Sequence, residues 1–189
     1  AVVVWPNGKK QTLTNLKANQ LLYVSEGNAA QSTVPVLRKS SYLFNELNDS
    51  LRINWVHQEP EYIDFNGQKL LPHKLSQYPP AVSAGDINGD GLDDFFVGGS
   101  RQNKGKFFVQ SANGTFTISD LLPGPDGPGK NSEDMGTLLF DADGDGDLDL
   151  YVASGANELR SNDAGYQDRL YINDGKGNYQ LAQGAIPSI

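Results

Sequence analysis

Cysteine is absent from the 189 residues, which removes disulfides, thiolate metal ligation and cysteine nucleophiles together. Histidine occurs only as His57 and His73, so imidazole chemistry has little to draw on. No run of Lys or Arg appears. Fifteen basic residues stand against twenty-three acidic ones, a formal charge of −8, whereas nucleic-acid binders ordinarily present a basic face; no nucleic-acid partner is expected. No apolar stretch nears the roughly 20 residues that span a bilayer. Neither a G-x-S-x-G elbow nor an H-E-x-x-H pair is present. Methionine occurs once, as Met135, and the chain opens on AVVVW without a basic leader. It therefore reads as a processed or excised piece whose targeting signal lies outside it.

What is plentiful is turn chemistry and aromatic side chains: 21 Gly, 10 Pro, 8 Tyr and 8 Phe. That mixture describes short strands joined by tight turns, an all-β protein. AVVVW, the turn Pro6-Asn7-Gly8, QTLTNL and QLLYVSEG read as a small β unit over residues 1–27. One helix-period signal occurs, over Ser41–Leu51, where Leu43, Phe44, Leu47 and Leu51 have roughly helical spacing; a short helix and an irregular arm both fit it. RINWVH (52–57), EYIDFNG (61–67) and QKLL (68–71) read as further strands or extended segments.

From residue 81 the text repeats itself. SAGDINGDGLDDFFVGGS (83–100) aligns with LLFDADGDGDLDLYVASG (138–155), placing Asp141 55 residues after Asp86. Each copy is followed by a strand–turn–strand pattern, GKFFVQSANGTFT (105–117) and DRLYINDGKGNYQLA (168–182). The offset slightly exceeds the roughly 40–50 residues of common propeller repeats. The Gly- and Pro-rich LLPGPDGPGKNSED (121–134) accounts for the excess as a surface loop, and is the best candidate in the sequence for partner contact.

Both copies fit D-x-[DN]-x-D-G-x-x-D. The first supplies Asp86, Asn88, Asp90 and Asp94, the second Asp141, Asp143, Asp145 and Asp149, with Gly91 and Gly146 at position six. As strands or helices such carboxylates would repel one another or bring glycines into the element. A hard cation resolves the pattern. Ca²⁺ takes about 6–8 oxygen ligands, and side chains at positions 1, 3, 5 and 9 can turn inward while position 7, Leu92 or Asp147, offers its carbonyl. An EF-hand needs Glu at position 12 and a following helix; Val97 and Val152 stand there instead, within strand-like text. Two Ca²⁺ sites opening onto strands are therefore expected, bringing the charge from −8 to about −4.

These residues resemble FG-GAP/VCBS repeats, in which a Ca²⁺ loop precedes a strand of a β-propeller blade. The resemblance covers residues 81–183, although VGGS and VASGA match the FG-GAP signature only loosely. VVVWPNGKKQ and NQLLYVSEG are similar to the ASPIC/UnbV segment. Together they resemble large exported proteins of Bacteroidetes-type bacteria, related to cartilage acidic protein. The resemblance implies a partial β-propeller preceded by a small β unit: an ASPIC/UnbV-like segment over 1–37, a connecting arm with extended strands over 38–80 that adds to a blade, and two repeats over 81–189. Two repeats cannot close a ring, since propellers need at least four blades. The open edges then call for cover by residues 1–80, by the remaining blades of a parent chain, or by self-association.

The remaining chemistry is sparse. His57 with Glu59 and Glu61 offers a metal or acid–base cluster, but alternation there fits a surface strand better. Arg169 has the character of an ion-pair partner, and Trp5 and Trp55 that of packing residues. Phe95-Phe96 and Phe107-Phe108 put one ring on each strand face, as a blade packed on both sides requires. The reading is a non-catalytic, calcium-stabilised binding or adhesion module, extracellular or at the cell surface, with an unidentified protein or glycan ligand. The alternatives are a polysaccharide-directed hydrolase or lyase on the same scaffold and, weakest, an RNA binder.

Overall fold

The computed structural model describes residues 1–30, 44–78, 80–122 and 130–188. Two units separate along the chain, Ala1–Glu46 and Leu47–Ile189; the expected boundary at residue 37 lies outside the described residues.

In the first unit, β1 (Val2–Val4) pairs antiparallel with β2 (Lys10–Thr12), Val3 opposite Gln11. The Pro-Asn-Gly turn joins them: the Gly8 N–H donates to the Trp5 carbonyl at 2.9 Å and the Trp5 N–H to the Lys9 carbonyl at 2.9 Å. QLLYVSEG, read as a strand, forms none. It ends instead in a single 3₁₀ turn, Glu26–Asn28, after which Ala30 bridges Lys10. With Leu21 79% and Tyr23 89% exposed, these side chains have no second layer on which to build a sheet face.

In the second unit the helical spacing of Ser41–Leu51 produces only one turn among the described residues, α1 (Asn48–Leu51), closed by Arg52 at φ 62°. Residues 41–43 are outside the described set. Phe44 and Leu47 stay exposed, so no packing extends the helix. Of the two readings of 52–57, 61–67 and 68–71, strands or extended segments, no strand forms there among the described residues. Residues 53–63 form an arm without a ladder partner among the described residues, followed by the helical turn α2 (Asp64–Gly67). Asp64 is fully buried and accepts from the Ser76 hydroxyl at 2.6 Å, which commits that stretch to side-chain bonds in place of a ladder.

The repeats form two four-stranded antiparallel meanders. Blade 1 is β3 (Val82–Gly85), β4 (Asp94–Val97), β5 (Lys106–Gln110) and β6 (Phe116–Asp120). Blade 2 is β7 (Glu133–Phe140), β8 (Asp149–Gly155), β9 (Arg169–Asn173) and β10 (Tyr179–Leu181), with a bulge in β7 between Asp134 and Gly136. β3 lies beside β7. The doubled phenylalanines divide as expected: Phe95 stacks on Phe108 at 4.4 Å on one face, and Phe96 meets Phe107 at 4.8 Å on the other.

The core lies between the blades. Phe96, Phe107 and Leu121 of blade 1 meet Leu150, Val152 and Tyr171 of blade 2, with Ile87 reaching in from the first acidic loop. Tyr179 stacks on Phe107 at 4.6 Å. Burying these side chains stabilises the pair by roughly 1.5–3 kcal/mol each. Blade 1's opposite face carries Trp55 of the arm edge-on to Phe108 at 5.7 Å. The fold is thus all-β and propeller-like, and the described strands do not close a ring.

Candidate metal centre

Each acidic loop sits between the first two strands of its blade, and the two loops are wired alike. At position 1, Asp86 Oδ1 accepts from the Gly89 N–H at 2.8 Å and Oδ2 from Gly91 at 2.8 Å; Asp141 takes Gly144 at 2.7 Å and Gly146 at 3.1 Å. These glycines hold φ between 74° and 95°, a left-handed conformation that L side chains adopt only under strain. Every second residue then closes an Asx turn. Asn88 accepts from Asp90 and Asp90 from Leu92, as Asp143 does from Asp145 and Asp145 from Asp147. Alternate side-chain oxygens are thereby drawn to the inside of each loop.

Position 9 bolts the loop to the sheet. Asp94, fully buried, accepts from the Ile87 N–H at 3.2 Å and, across the blade, from Gln110 at 2.7 Å. Asp149, also fully buried, accepts from Ala142 at 2.8 Å and Asn173 at 2.8 Å. One carboxylate therefore serves its own loop's start and a neighbouring strand in both repeats.

In the second loop, carboxylate oxygens of Asp141, Asp143 and Asp149 lie within 4.8 Å of one another, a group of three able to hold a cation. The first loop presents the Asn88 amide where Asp143 stands. Desolvation, then the neighbouring Asp145 and Asp149, hold the Asp143 carboxyl above its ordinary range. Asp147 is raised by desolvation and by Asp145, Asp141 and Asp149. Asp94 is raised chiefly by burial. Asp86 is lowered, first by the Gly91 N–H. Crowded carboxylates with raised pKa values are the state that a bound cation relieves. An all-oxygen donor set suits Ca²⁺ or another hard ion over the softer transition metals. The residues fit the ion: Asp141, Asp143 and Asp149 would hold it in the second loop, and Asp86, Asn88 and Asp94 occupy the matching positions 1, 3 and 9 of the first. Asp145 and the position-7 residues Leu92 and Asp147 lie on the loops but outside the group of three. The Asp147 carboxylate is turned onto Gly175 of the blade 2 hairpin, where a Cβ would collide with it.

One residue that inspection of the text misses is Asn173. It is buried; its amide donates to the Ile87 carbonyl at 2.7 Å and the Leu148 carbonyl at 3.1 Å, and its oxygen accepts from Gly177 at 3.1 Å. It ties both acidic loops to one hairpin. NDGKGN reads only as a turn because these partners are remote in sequence.

A second polar cluster occupies the other end of the blades. Asp134 accepts from Arg169 at 2.6 Å, Lys130 at 3.1 Å and the Gly99 N–H at 2.7 Å, which gives Arg169 its ion pair. Glu133 accepts from the Arg101 N–H at 2.7 Å, and burial pushes its carboxyl up to about 7. Arg101 lies 3.8 Å from Glu158. From the arm, His57 pairs with Glu59, and the Gln58 carbonyl accepts from Ser100 and Asn103. His57 and Glu59 are thus largely buried side chains of the arm, not displayed on a surface strand, and Glu61 is paired separately with Lys74 at 3.0 Å. Of loop 121–134, residues 123–129 lie outside the described set. Among the described residues no helix is long and apolar enough to cross a membrane.

The family model described as FG-GAP-like repeat matches residues 86–152, running from the first aspartate of the first loop into β8. That described as ASPIC and UnbV matches residues 1–31. No curated protein and no solved structure gives a significant match. The FG-GAP-like repeat match thus spans both acidic loops, and the ASPIC and UnbV match lies before it in the chain.

Proposed function

We propose that this chain is a non-catalytic, calcium-stabilised binding or adhesion module of an extracellular repeat protein. The observation that carries the reading is the convergence of Asp141, Asp143 and Asp149 within 4.8 Å, in a loop whose backbone wiring the first loop reproduces. Calcium in each loop would be structural. It would neutralise carboxylates that otherwise repel, and would lock the segment joining the first two strands of each blade. Extracellular modules bind Ca²⁺ at about 10⁻⁴–10⁻³ M, a range that suits an exported protein. FG-GAP-like and ASPIC/UnbV matches support the extracellular setting. The buried carboxylates at the opposite end, Glu133 and Glu158, lie under the arm and are engaged by Arg101, which favours a structural clasp over an acid–base pair.

Thermal melting in EDTA and across a calcium titration tests the reading. A rising melting temperature that saturates in the millimolar range supports it. Equal melting temperatures with and without calcium would overturn the structural-metal role. Screening glycans and peptides for both retention and turnover separates a binder from an enzyme: retention without turnover is expected.

A further inference from the structure

A chain of three hydrogen bonds joins the two acidic loops, and it begins and ends on a carboxylate at position 9. Asp149 of the second loop accepts from the Asn173 N–H at 2.8 Å. The Asn173 side-chain amide donates to the Ile87 carbonyl at 2.7 Å, and the Ile87 N–H donates to Asp94 of the first loop at 3.2 Å. All four residues are buried. Ile87 lies between Asp86 and Asn88, positions 1 and 3 of the first loop, so its two peptide groups lead directly into both. The hairpin that carries Asn173 also touches each loop itself: Gly177 faces Ile87 and Asn88, and Gly175 faces the Asp147 carboxylate.

This wiring makes the two loops share one support. With an ion in the second loop, Asp149 is held from the loop side, and its bond to the Asn173 N–H then holds the start of the hairpin. Asn173 so placed fixes the Ile87 carbonyl, and Ile87 in turn presents its N–H to Asp94. Ordering a segment costs conformational entropy. A hairpin already ordered for one loop need not be ordered again for the other, which favours the second binding event. Repulsion between the two cations runs the other way. It acts across loops whose Asp90, Asp143 and Asp145 are exposed, where salt at about 0.15 M screens charges beyond about 8 Å. The bonds of the chain are buried and escape that screening, so they set the sign. We infer that Asn173 is a positioning residue shared by both loops, through which calcium in either loop raises the affinity of the other. The inference rests on the calcium reading above, and the coupling is reciprocal by linkage.

Two-dimensional amide NMR of the full 189-residue chain, followed through a calcium titration at about 0.15 M salt, tests it. The Gly91 N–H donates to Asp86 and the Gly146 N–H to Asp141, so each glycine amide reports its own loop. Asp143→Ala, which removes one of the three converging carboxylates of the second loop, should lower the affinity read at Gly91 at least ~5-fold. In an Asn173→Ala background the same substitution should change it less than ~2-fold. Asn173→Ser, whose hydroxyl is too short to span to Ile87, makes the same comparison where Asn173→Ala does not fold. Tyr179→Phe removes another bond from this hairpin to the Leu148 carbonyl but leaves Asn173 in place; it should keep the full coupling, which separates positioning from general loss of stability. A Gly91 affinity unchanged or raised by Asp143→Ala, with both glycines responding to calcium in the wild type, overturns the coupling and leaves the calcium reading standing. Coupling that survives loss of the Asn173 amide overturns the role of that residue. Glycines that ignore calcium in both loops overturn the calcium reading and this inference with it.

Discussion

Asn173 and Ile87 stand 86 positions apart in the chain and 2.7 Å apart in space, joined by the bond from the Asn173 amide to the Ile87 carbonyl. The same amide reaches the Leu148 carbonyl, so one side chain of β9 holds both acidic loops and both blades. Asn173→Ala leaves two buried carbonyls and the Gly177 N–H without it. Stability should fall by about 2 kcal/mol, measured by urea denaturation at saturating calcium. Asn173→Asp should cost more, because it sets an acceptor against two acceptors among carboxylates. A loss under ~0.5 kcal/mol for both variants would remove Asn173 from this role.

The second loop divides its aspartates by direction. Asp143 faces Asp141 and Asp149, whereas Asp147 turns its carboxylate onto Gly175. Asp147→Asn should therefore leave calcium affinity within about threefold, while Asp143→Ala lowers it at least ~10-fold. Asp145→Ala should also weaken binding, since it removes both a position-5 oxygen and the acceptor for the Asp147 N–H. Isothermal titration calorimetry reads all three, and equal affinities for Asp147→Asn and Asp145→Ala would refute the division.

Both loops were legible in the sequence because their grammar is local. Asp, Asn and Gly at fixed offsets dictate Asx turns and left-handed glycines without help from the rest of the fold. The doubled rings of β4 and β5 were legible for a similar reason: alternation sends Phe95 and Phe96 to opposite faces whatever the strands meet. The arm was not. Trp55, His57 and Glu59 alternate like a strand, yet what they pack against is Phe108 and the Glu133–Arg101 region, and among the described residues no ladder partner exists for them. The end of the 121–134 stretch was hidden by its composition. Among glycines and prolines, Lys130, Glu133 and Asp134 read as solvated, and their burial comes from partners remote in sequence: Arg169, 35 residues on, at Asp134, Arg101 at Glu133, and the Gly99 and Ser100 carbonyls at Lys130.

Glu133 makes stability depend on pH in a defined direction. Its folded pKa, about 7, lies above the usual 4.5 because burial disfavours the anion. The folded state therefore holds a proton that the unfolded state releases. The acid is neutral in both states below pH 4.5, so it exacts no penalty there; stability falls as pH rises through the window from 4.5 to about 7 and is level beyond it. Glu133→Gln keeps an acceptor for the Arg101 N–H and abolishes the titration. The difference in unfolding free energy between variant and wild type should grow across that window to order 1–3 kcal/mol in the variant's favour. A difference independent of pH would show that Glu133 ionises as freely folded as unfolded.

Asp134 presents the opposite case, a carboxylate whose charge is needed. It is buried, with Arg169 and Lys130 on one oxygen and the Gly99 N–H on the other. Asn has one acceptor for these two sides, so Asp134→Asn either turns an amide N–H onto the Gly99 N–H or turns it onto two cations. Burial lowers the Lys130 pKa, and Asp134 is the foremost charge opposing that shift. The variant should lose about 3–5 kcal/mol, most of it from the uncompensated cations and not from the pair itself. That origin has a signature. Adding Lys130→Met to Asp134→Asn should recover part of the loss, although Lys130→Met alone is destabilising, because the double variant buries one cation fewer. Additive losses in this double-mutant cycle would mean that Asp134 acts through its bond to Gly99 alone, as a neutral acceptor would.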